Sequence, residues 1–294
     1  MKAKSFINKI MLSLLSFTII TSAFSGINAS ADSFKVVTLG ADLTQEQKDS
    51  MLKEFNVTKN DANVIEITSK EEYAALGKVA TSAQLGSKSI SCSYVEPTTS
   101  GGLNITTNNL TWVTENMIKN ALITAGIKNA DVKASAPFKV SGTAALTGIL
   151  KGFENSSSGE KIDENKKEAA NQEIVVTGDL GDKIGQDDAT NLINDIKKNV
   201  VKKEPENQQE VDKIVDKEVK DYKDKLTDED IQNIKSLASK INELHLDYST
   251  IKDQLNDVTT QLKDKLTSDE AKGFFAKVGT FFSDIWHAIT NLFS

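Results

Sequence analysis

The stretch Phe34-Lys35-Val36-Val37-Thr38-Leu39-Gly40-Ala41-Asp42-Leu43-Thr44-Gln45-Glu46-Gln47 changes periodicity once, and that change points to the fold class. Residues 34–39 read as a strand, and residues 42–55 take up the spacing of a helix. Thr44 and Gln47 stand three apart, as in a capping box, where each side chain satisfies a backbone N–H of the other. A strand feeding a capped helix is what an α+β domain is built from.

Working outward, residues 63–68 read as a second strand and residues 71–76 as a short helix. Two further strands, 88–95 and 103–110, flank Pro97 and the Gly101-Gly102 pair, a composition that predicts a hairpin connection. A helix over 114–125 stops at Gly126. Residues 131–139 form a strand whose Pro137 predicts an edge position or a strand end, because proline cannot donate to a ladder. A short helix over 141–153 completes a mixed-sheet domain spanning 32–153.

Residues 154–172, rich in serine and charge, read as a connection, helical in its second half. Residues 173–177 are expected to be a strand of the same sheet. The run Val175-Val176-Thr177-Gly178-Asp179-Leu180 echoes residues 36–43, from a duplicated βα unit or from convergence on strand-turn-helix chemistry. From residue 187 the pattern is helical. Val211, Ile214, Val215, Val219, Tyr222 and Leu226 form one apolar stripe; Ile231, Ile234, Leu237, Ile241 and Leu244 form a second, with Thr227 and Asp230 at its start. Ile251, Leu255, Val258, Leu262 and Leu266 form a third. The short 245–249 link allows an antiparallel pairing, so the 173–266 region is expected to continue as a helical bundle or helical hairpin.

Residues 1–31 carry Lys2, Lys4 and Lys9, an eleven-residue apolar run over 10–20, and Ala29-Ser30-Ala31, the three parts of a secretory signal peptide cleaved after Ala31. The expected location is therefore secreted or in the extracytoplasmic cell envelope. Without the leader's three lysines, 32 lysines face 42 acidic residues, a net charge of −10 that disfavours nucleic acid as a partner. Arginine is absent, so an anion site must use lysine or backbone N–H groups. Cys92 is the only cysteine and reads as a small buried hydrophobe.

Residues 267–294 differ from the rest. Thr267 and Glu270 have capping-box spacing, and Phe274, Phe275, Val278, Phe281, Phe282, Ile285, Trp286, Ile289, Leu292 and Phe293 recur on one face of an amphipathic helix. That face either docks on the preceding helices or meets a membrane or partner. The candidate contacts are Phe274, Phe281, Phe282, Trp286 and Phe293.

No nucleophile elbow, zinc-protease motif, phosphate loop or paired cysteines are present, and neither a catalytic residue nor a cofactor is expected. Asp179, Asp182, Asp187 and Asp188 lack the alternation of a calcium loop and read as solvated turn and helix-start carboxylates, so no metal is expected. The most site-like backbone is Ser141-Gly142-Thr143 before the 141–153 helix, where small residues let N–H groups approach a ligand or simply cap the helix. Trp112 and Tyr94 are candidates for a carbohydrate- or peptide-binding surface, or for the core.

Gly86-Ser87-Lys88-Ser89-Ile90-Ser91-Cys92-Ser93-Tyr94, Asn109-Leu110-Thr111-Trp112-Val113-Thr114 and Ala136-Pro137-Phe138-Lys139-Val140-Ser141-Gly142-Thr143-Ala144-Ala145-Leu146 resemble, in this order, the YpuA-like family of exported Gram-positive proteins, a domain of unknown function. The resemblance extends over most of the mature chain. It implies a secreted or envelope-associated protein and brings no activity, substrate or catalytic residue. The expectation is a non-enzymatic binding or scaffolding module with a cell-wall, peptide or protein partner. The alternatives are an envelope hydrolase with an unfamiliar site, and a membrane-surface protein held by its last helix.

Overall fold

Five strands form one mixed sheet: β1 (Val36–Gly40), β2 (Asn63–Ile67), β3 (Cys92–Pro97), β4 (Leu103–Leu110) and β5 (Ala130–Val140), in the order β2-β1-β3-β5-β4. The computed structural model describes residues 34–267; the expected signal peptide and the expected amphipathic terminal helix lie outside the described residues. β1 pairs parallel with β2 and antiparallel with β3, and β5 runs antiparallel to β3 and parallel to β4. The expected 88–95/103–110 hairpin does not form, because β5 inserts between β3 and β4. Glycine and proline between two strands mark a reversal of direction, not a pairing. Pro137 lies beyond the β3 pairing, which ends at Ser135, and beside a bulge between Asn108 and Leu110, where no ladder N–H is required of it.

Both edge strands have an outward backbone group already occupied. Lys151 donates to the Glu66 carbonyl of β2 at 3.4 Å, and Glu115 accepts from the Thr107 N–H of β4 at 3.1 Å. Such contacts discourage pairing with another chain.

One face of the sheet packs on α1 (Gln45–Glu54). There Val37, Leu39, Cys92 and Tyr94 enclose a small core with Met51, Leu52 and Phe55. Cys92 is fully buried, as expected, and burial pushes its thiol up to about 12. The opposite face packs on α5 (Thr143–Glu154) and α4 (Glu115–Thr124), over a buried 2.6 Å contact between the Thr38 and Ser93 hydroxyls. Capping boxes start α1 at Thr44, α2 (Ser69–Leu76) at Thr68 and the single turn α3 (Ser82–Leu85) at Thr81.

Behind α4 and α5 stands a bundle of α6 (Glu164–Ile184), α7 (Gln186–Lys203), α8 (Gln208–Glu218), α9 (Asp228–Glu243) and α10 (Tyr248–Thr267). One continuous core joins it to the sheet. The Thr227/Asp230 capping box starts α9. α9 and α10 do not form the expected hairpin, since each packs on α7.

The expected strand 173–177 is the middle of α6, so among the described residues it supplies neither a sixth strand nor a duplicated βα unit. Ile174, Val175, Val176 and Thr177 are β-branched, but every residue from Ala169 to Gly178 is buried among neighbouring helices. Tertiary burial overrides a propensity difference of a few tenths of a kcal/mol per residue. The clue against a strand is Glu173, whose carboxylate meets Lys197 of α7 at 2.6 Å with both side chains essentially inaccessible. Thr124 donates to Glu173 at 2.5 Å, while Lys197 also donates to the Asn120 carbonyl at 2.6 Å and to its side-chain oxygen at 2.9 Å. Burial pushes Glu173 up and Lys197 down, and their mutual attraction opposes both shifts.

Removing one member leaves the other as an uncompensated buried charge. Lys197→Met is expected to destabilise the fold by about 3–5 kcal/mol in urea unfolding followed by circular dichroism, with the Glu173→Leu/Lys197→Met double variant regaining most of that loss. Equal losses in the single and double variants would contradict the pairing.

Candidate functional site

β5 ends at Val140, and the chain turns through Ser141 and Gly142 into α5. The Ser141 carbonyl accepts the N–H groups of Trp112 (3.3 Å) and Val113 (3.1 Å), fixing this turn to the one that leads into α4. Gly142, the N-cap, has φ of +104°, a conformation that favours glycine. It has no side chain with which to cap α5, and the third N–H of the helix, from Ala145, instead donates to the buried Ser91 hydroxyl at 2.8 Å.

Beside this turn lies an open cleft of about 540 Å³, lined among others by Gln84, Leu85, Lys88, Trp112, Ser141 and Asp182. Trp112 is wedged against α6: a Cβ on Gly178 would lie 2.2 Å from its ring, so only glycine lets the helix approach this closely. The indole N–H is buried without an acceptor. Gln84 reaches the cleft from α3 and its amide donates to Asp179 of α6. Burial pushes Asp179 up to about 6, against the opposing effect of the Gln84 bond.

Of the three predicted backbone residues, Ser141 lines the cleft. Gly142 supplies the turn, and Thr143 is buried behind it. The Ser141 and Thr143 hydroxyls are 3.3 Å apart, and Thr143 hydrogen-bonds the carboxyl group of Glu72 on α2. Glu72 is only 2% exposed, and its Oε1 has no hydrogen-bond partner. Burial raises its pKa to about 7; the Thr143 bond opposes the rise and nearby Asp42 adds to it. A hydroxyl pair thus leads from the cleft to a buried carboxylic acid.

Tyr94 and Trp112 do not share a surface. Tyr94 belongs to the α1-side core, 6.4 Å from Phe55 between ring centroids, whereas Trp112 belongs to the larger core. Asp179 and Asp182 stand on the last turns of α6, not in a turn, and Asp187 and Asp188 open α7. No group of three or more side chains suited to a metal occurs among the described residues. The terminal candidates Phe274, Phe281, Phe282, Trp286 and Phe293 lie outside the described residues. Sequence reasoning missed Gln84, Lys88 and Glu72 as site residues, and read Asp182 only as a solvated turn or helix-start carboxylate. A signal for the first was present in the Thr81/Gln84 capping-box spacing, but α2 and α6 reach the site only through tertiary packing.

The model of a family described as proteins of unknown function, DUF1002, matches residues 39–258. The chain belongs to the DUF1002 family. A DUF1002 relative, the uncharacterized protein YpuA of Bacillus subtilis strain 168, is 44% identical over 260 residues, covering 88% of this chain and 89% of the relative. No solved structure matches. The matched span of this DUF1002 chain runs from the end of β1 into α10, and so takes in every residue named in the lining of the cleft.

A carboxyl whose folded pKa is raised binds its proton more tightly in the folded state than in the unfolded chain. Stability therefore falls as pH rises from the ordinary value of 4.5 to about 7, then levels off. Glu72→Gln is expected to abolish this component, worth about 3 kcal/mol, leaving the variant more stable than the wild type at pH 8 and little changed at pH 4. Urea unfolding of both proteins across this range measures it; parallel pH profiles would contradict the assignment.

Proposed function

We propose that the chain is an exported, non-enzymatic binding module, and that the cleft beside Ser141 takes a peptide, either free or as part of the cell wall. The observation that carries this reading is the lining of the cleft: an ammonium group at Lys88, a carboxylate at Asp182, an amide at Gln84 and a hydroxyl at Ser141 surround apolar Leu85 and Trp112. Both signs of charge with neutral donors and acceptors suit a peptide backbone and its polar side chains better than a purely apolar ligand or a polyanion. Each edge strand has one outward backbone group engaged by a side chain, which works against recognition by strand addition at that point. Ser141 has another hydroxyl as its neighbour, a geometry suited to hydrogen bonding, whereas a nucleophile requires an adjacent base. Export is supported by the basic, apolar and small-residue segments of residues 1–31.

The test is co-sedimentation of the mature chain, beginning at Asp32, with purified cell wall and separately with liposomes. The expected result is wall binding that Ser141→Tyr weakens at least tenfold by filling the cleft, with little change in the unfolding midpoint. Binding to liposomes alone, or wall binding indifferent to Ser141→Tyr and Asp182→Lys, would overturn this site. Mass spectrometry of the exported protein is expected to find Asp32 at its N-terminus.

A further inference from the structure

The start of α5 connects the cleft to a buried acid through two hydroxyl groups. Ser141 is half-buried and lines the cleft, and its Oγ lies 3.3 Å from the Oγ1 of Thr143. Thr143 is 2% exposed and also hydrogen-bonds the Glu72 carboxyl group. A hydroxyl has one proton to donate and lone pairs with which to accept, so the direction of one bond in this row fixes the direction of the next. A carboxylate only accepts. With Glu72 ionised, Thr143 donates to the carboxylate and is left to accept from Ser141, whose O–H then points inward and whose lone pairs face the cleft. With Glu72 protonated, the order reverses. Its Oε1 has no hydrogen-bond partner, so the acid O–H finds its acceptor at Thr143. Thr143 then donates to Ser141, and the Ser141 O–H turns to the cleft.

We propose that Ser141, Thr143 and Glu72 form a relay in which protonation of Glu72 converts Ser141 from an acceptor into a donor toward the cleft, so that Glu72 determines which side of a peptide group Ser141 takes. The ionised relay selects an N–H and the protonated relay a carbonyl. The proposal rests on the peptide-binding reading for its ligand, while the relay itself is a property of the free protein. Charged groups on the elements packed against α2 have partners of their own. Asp42, in the turn after β1, is the one that acts on Glu72, and its carboxylate accepts from the Ser89 N–H at 2.7 Å and the Ser69 hydroxyl at 3.2 Å. Lys151 of α5 pairs with Glu71 at 2.5 Å. On α6, Lys167 pairs with Glu154 and Glu164, and Glu168 with Lys78 and Lys240. α3 has no charged residue, and the segment after it, bonded to α2 from Tyr73 to the Gly86 carbonyl, carries Lys88 to the cleft. Burial raises the Glu72 pKa to about 7, so both directions of the relay are reached between roughly pH 5 and pH 9.

The test is 13C NMR of the mature chain, beginning at Asp32, with glutamate, serine and threonine labelled and the pH taken through this range. The Ser141 Cβ resonance is expected to follow the Glu72 carboxyl carbon with the same midpoint, and Thr143→Ser to preserve that coupling. In Thr143→Val, Glu72 still titrates, at a higher midpoint because a bond to its ionised form is gone, and Ser141 loses the component that shares its midpoint. Asp179 and Asp182, also raised by burial, act on Ser141 through space, and that response survives Thr143→Val. If Thr143→Val does not fold, Glu72→Gln is read for the same loss. A Ser141 resonance that does not move with Glu72, or moves equally in these variants, would overturn the relay. Co-sedimentation with purified cell wall separates the two ideas. With both correct, wild-type binding changes about two- to tenfold across the Glu72 midpoint, the worth of one hydrogen bond, and Thr143→Val flattens that change. Wall binding without the change would overturn the role of the relay in recognition. If Ser141 follows Glu72 and the wall is not bound, the relay stands and the ligand reading falls. If Ser141 ignores Glu72 while Ser141→Tyr still abolishes wall binding, the relay falls and the ligand reading stands.

Discussion

The buried pair between Glu173 and Lys197 is the constraint from which the helical half takes its register. A carboxylate and an ammonium group removed from water cost several kcal/mol each unless they meet each other and further hydrogen-bond partners. Here Thr124 and Asn120 of α4 complete the network, so three helices are tied at one point. α6 can neither rotate nor slide without stranding a charge. Its orientation places Gly178 under the ring of Trp112 and Asp179 against the amide of Gln84, so a contact deep in the helical layer determines the wall of a cleft at the surface.

A second buried acid has the opposite character. Among the described residues, no cation meets Glu72 as Lys197 meets Glu173; Thr143 hydrogen-bonds it and Asp42 acts on it unfavourably. Burial without a compensating cation raises its pKa to about 7. Thr143 belongs to the first turn of α5, where partial positive charge from the helix favours the anion, but burial outweighs it. Glu173 is thus held by charge pairing, whereas Glu72 is raised by burial that no such pair offsets.

Much of the sheet was legible because local chemistry and tertiary structure agree there. Thr44 with Gln47 and Thr227 with Asp230 start helices as their spacing predicts, and Gly126 follows α4. The errors arise where several distant segments decide the outcome together. Ile174 to Thr177 carries strand propensity, yet partners from α4 and α7, about fifty residues upstream and twenty downstream, bury it as helix. The Pro97 to Gly102 stretch reverses the chain, but whether β3 and β4 then pair depends on where β5 inserts. Ser141 was visible because small residues at a helix start are a local pattern. Trp112 became a site residue only through α6, and Glu72 only through α2.

The same division sets apart the end of the sheet that carries the cleft. A strand edge is the commonest backbone surface for capturing another chain, and here Lys151 and Glu115 each occupy an outward group of one edge. The remaining backbone polarity is at the ends of helices, where N–H groups lack partners within the helix. α1, α2, α3 and α9 satisfy theirs with capping boxes built from their own sequence, but α5 begins at a glycine and borrows Ser91 from the strand region. A helix start that cannot cap itself must be closed by its surroundings, and the surroundings supplied by β5, α2, α3 and α6 form the wall of the cleft on one side and the pocket around Glu72 on the other.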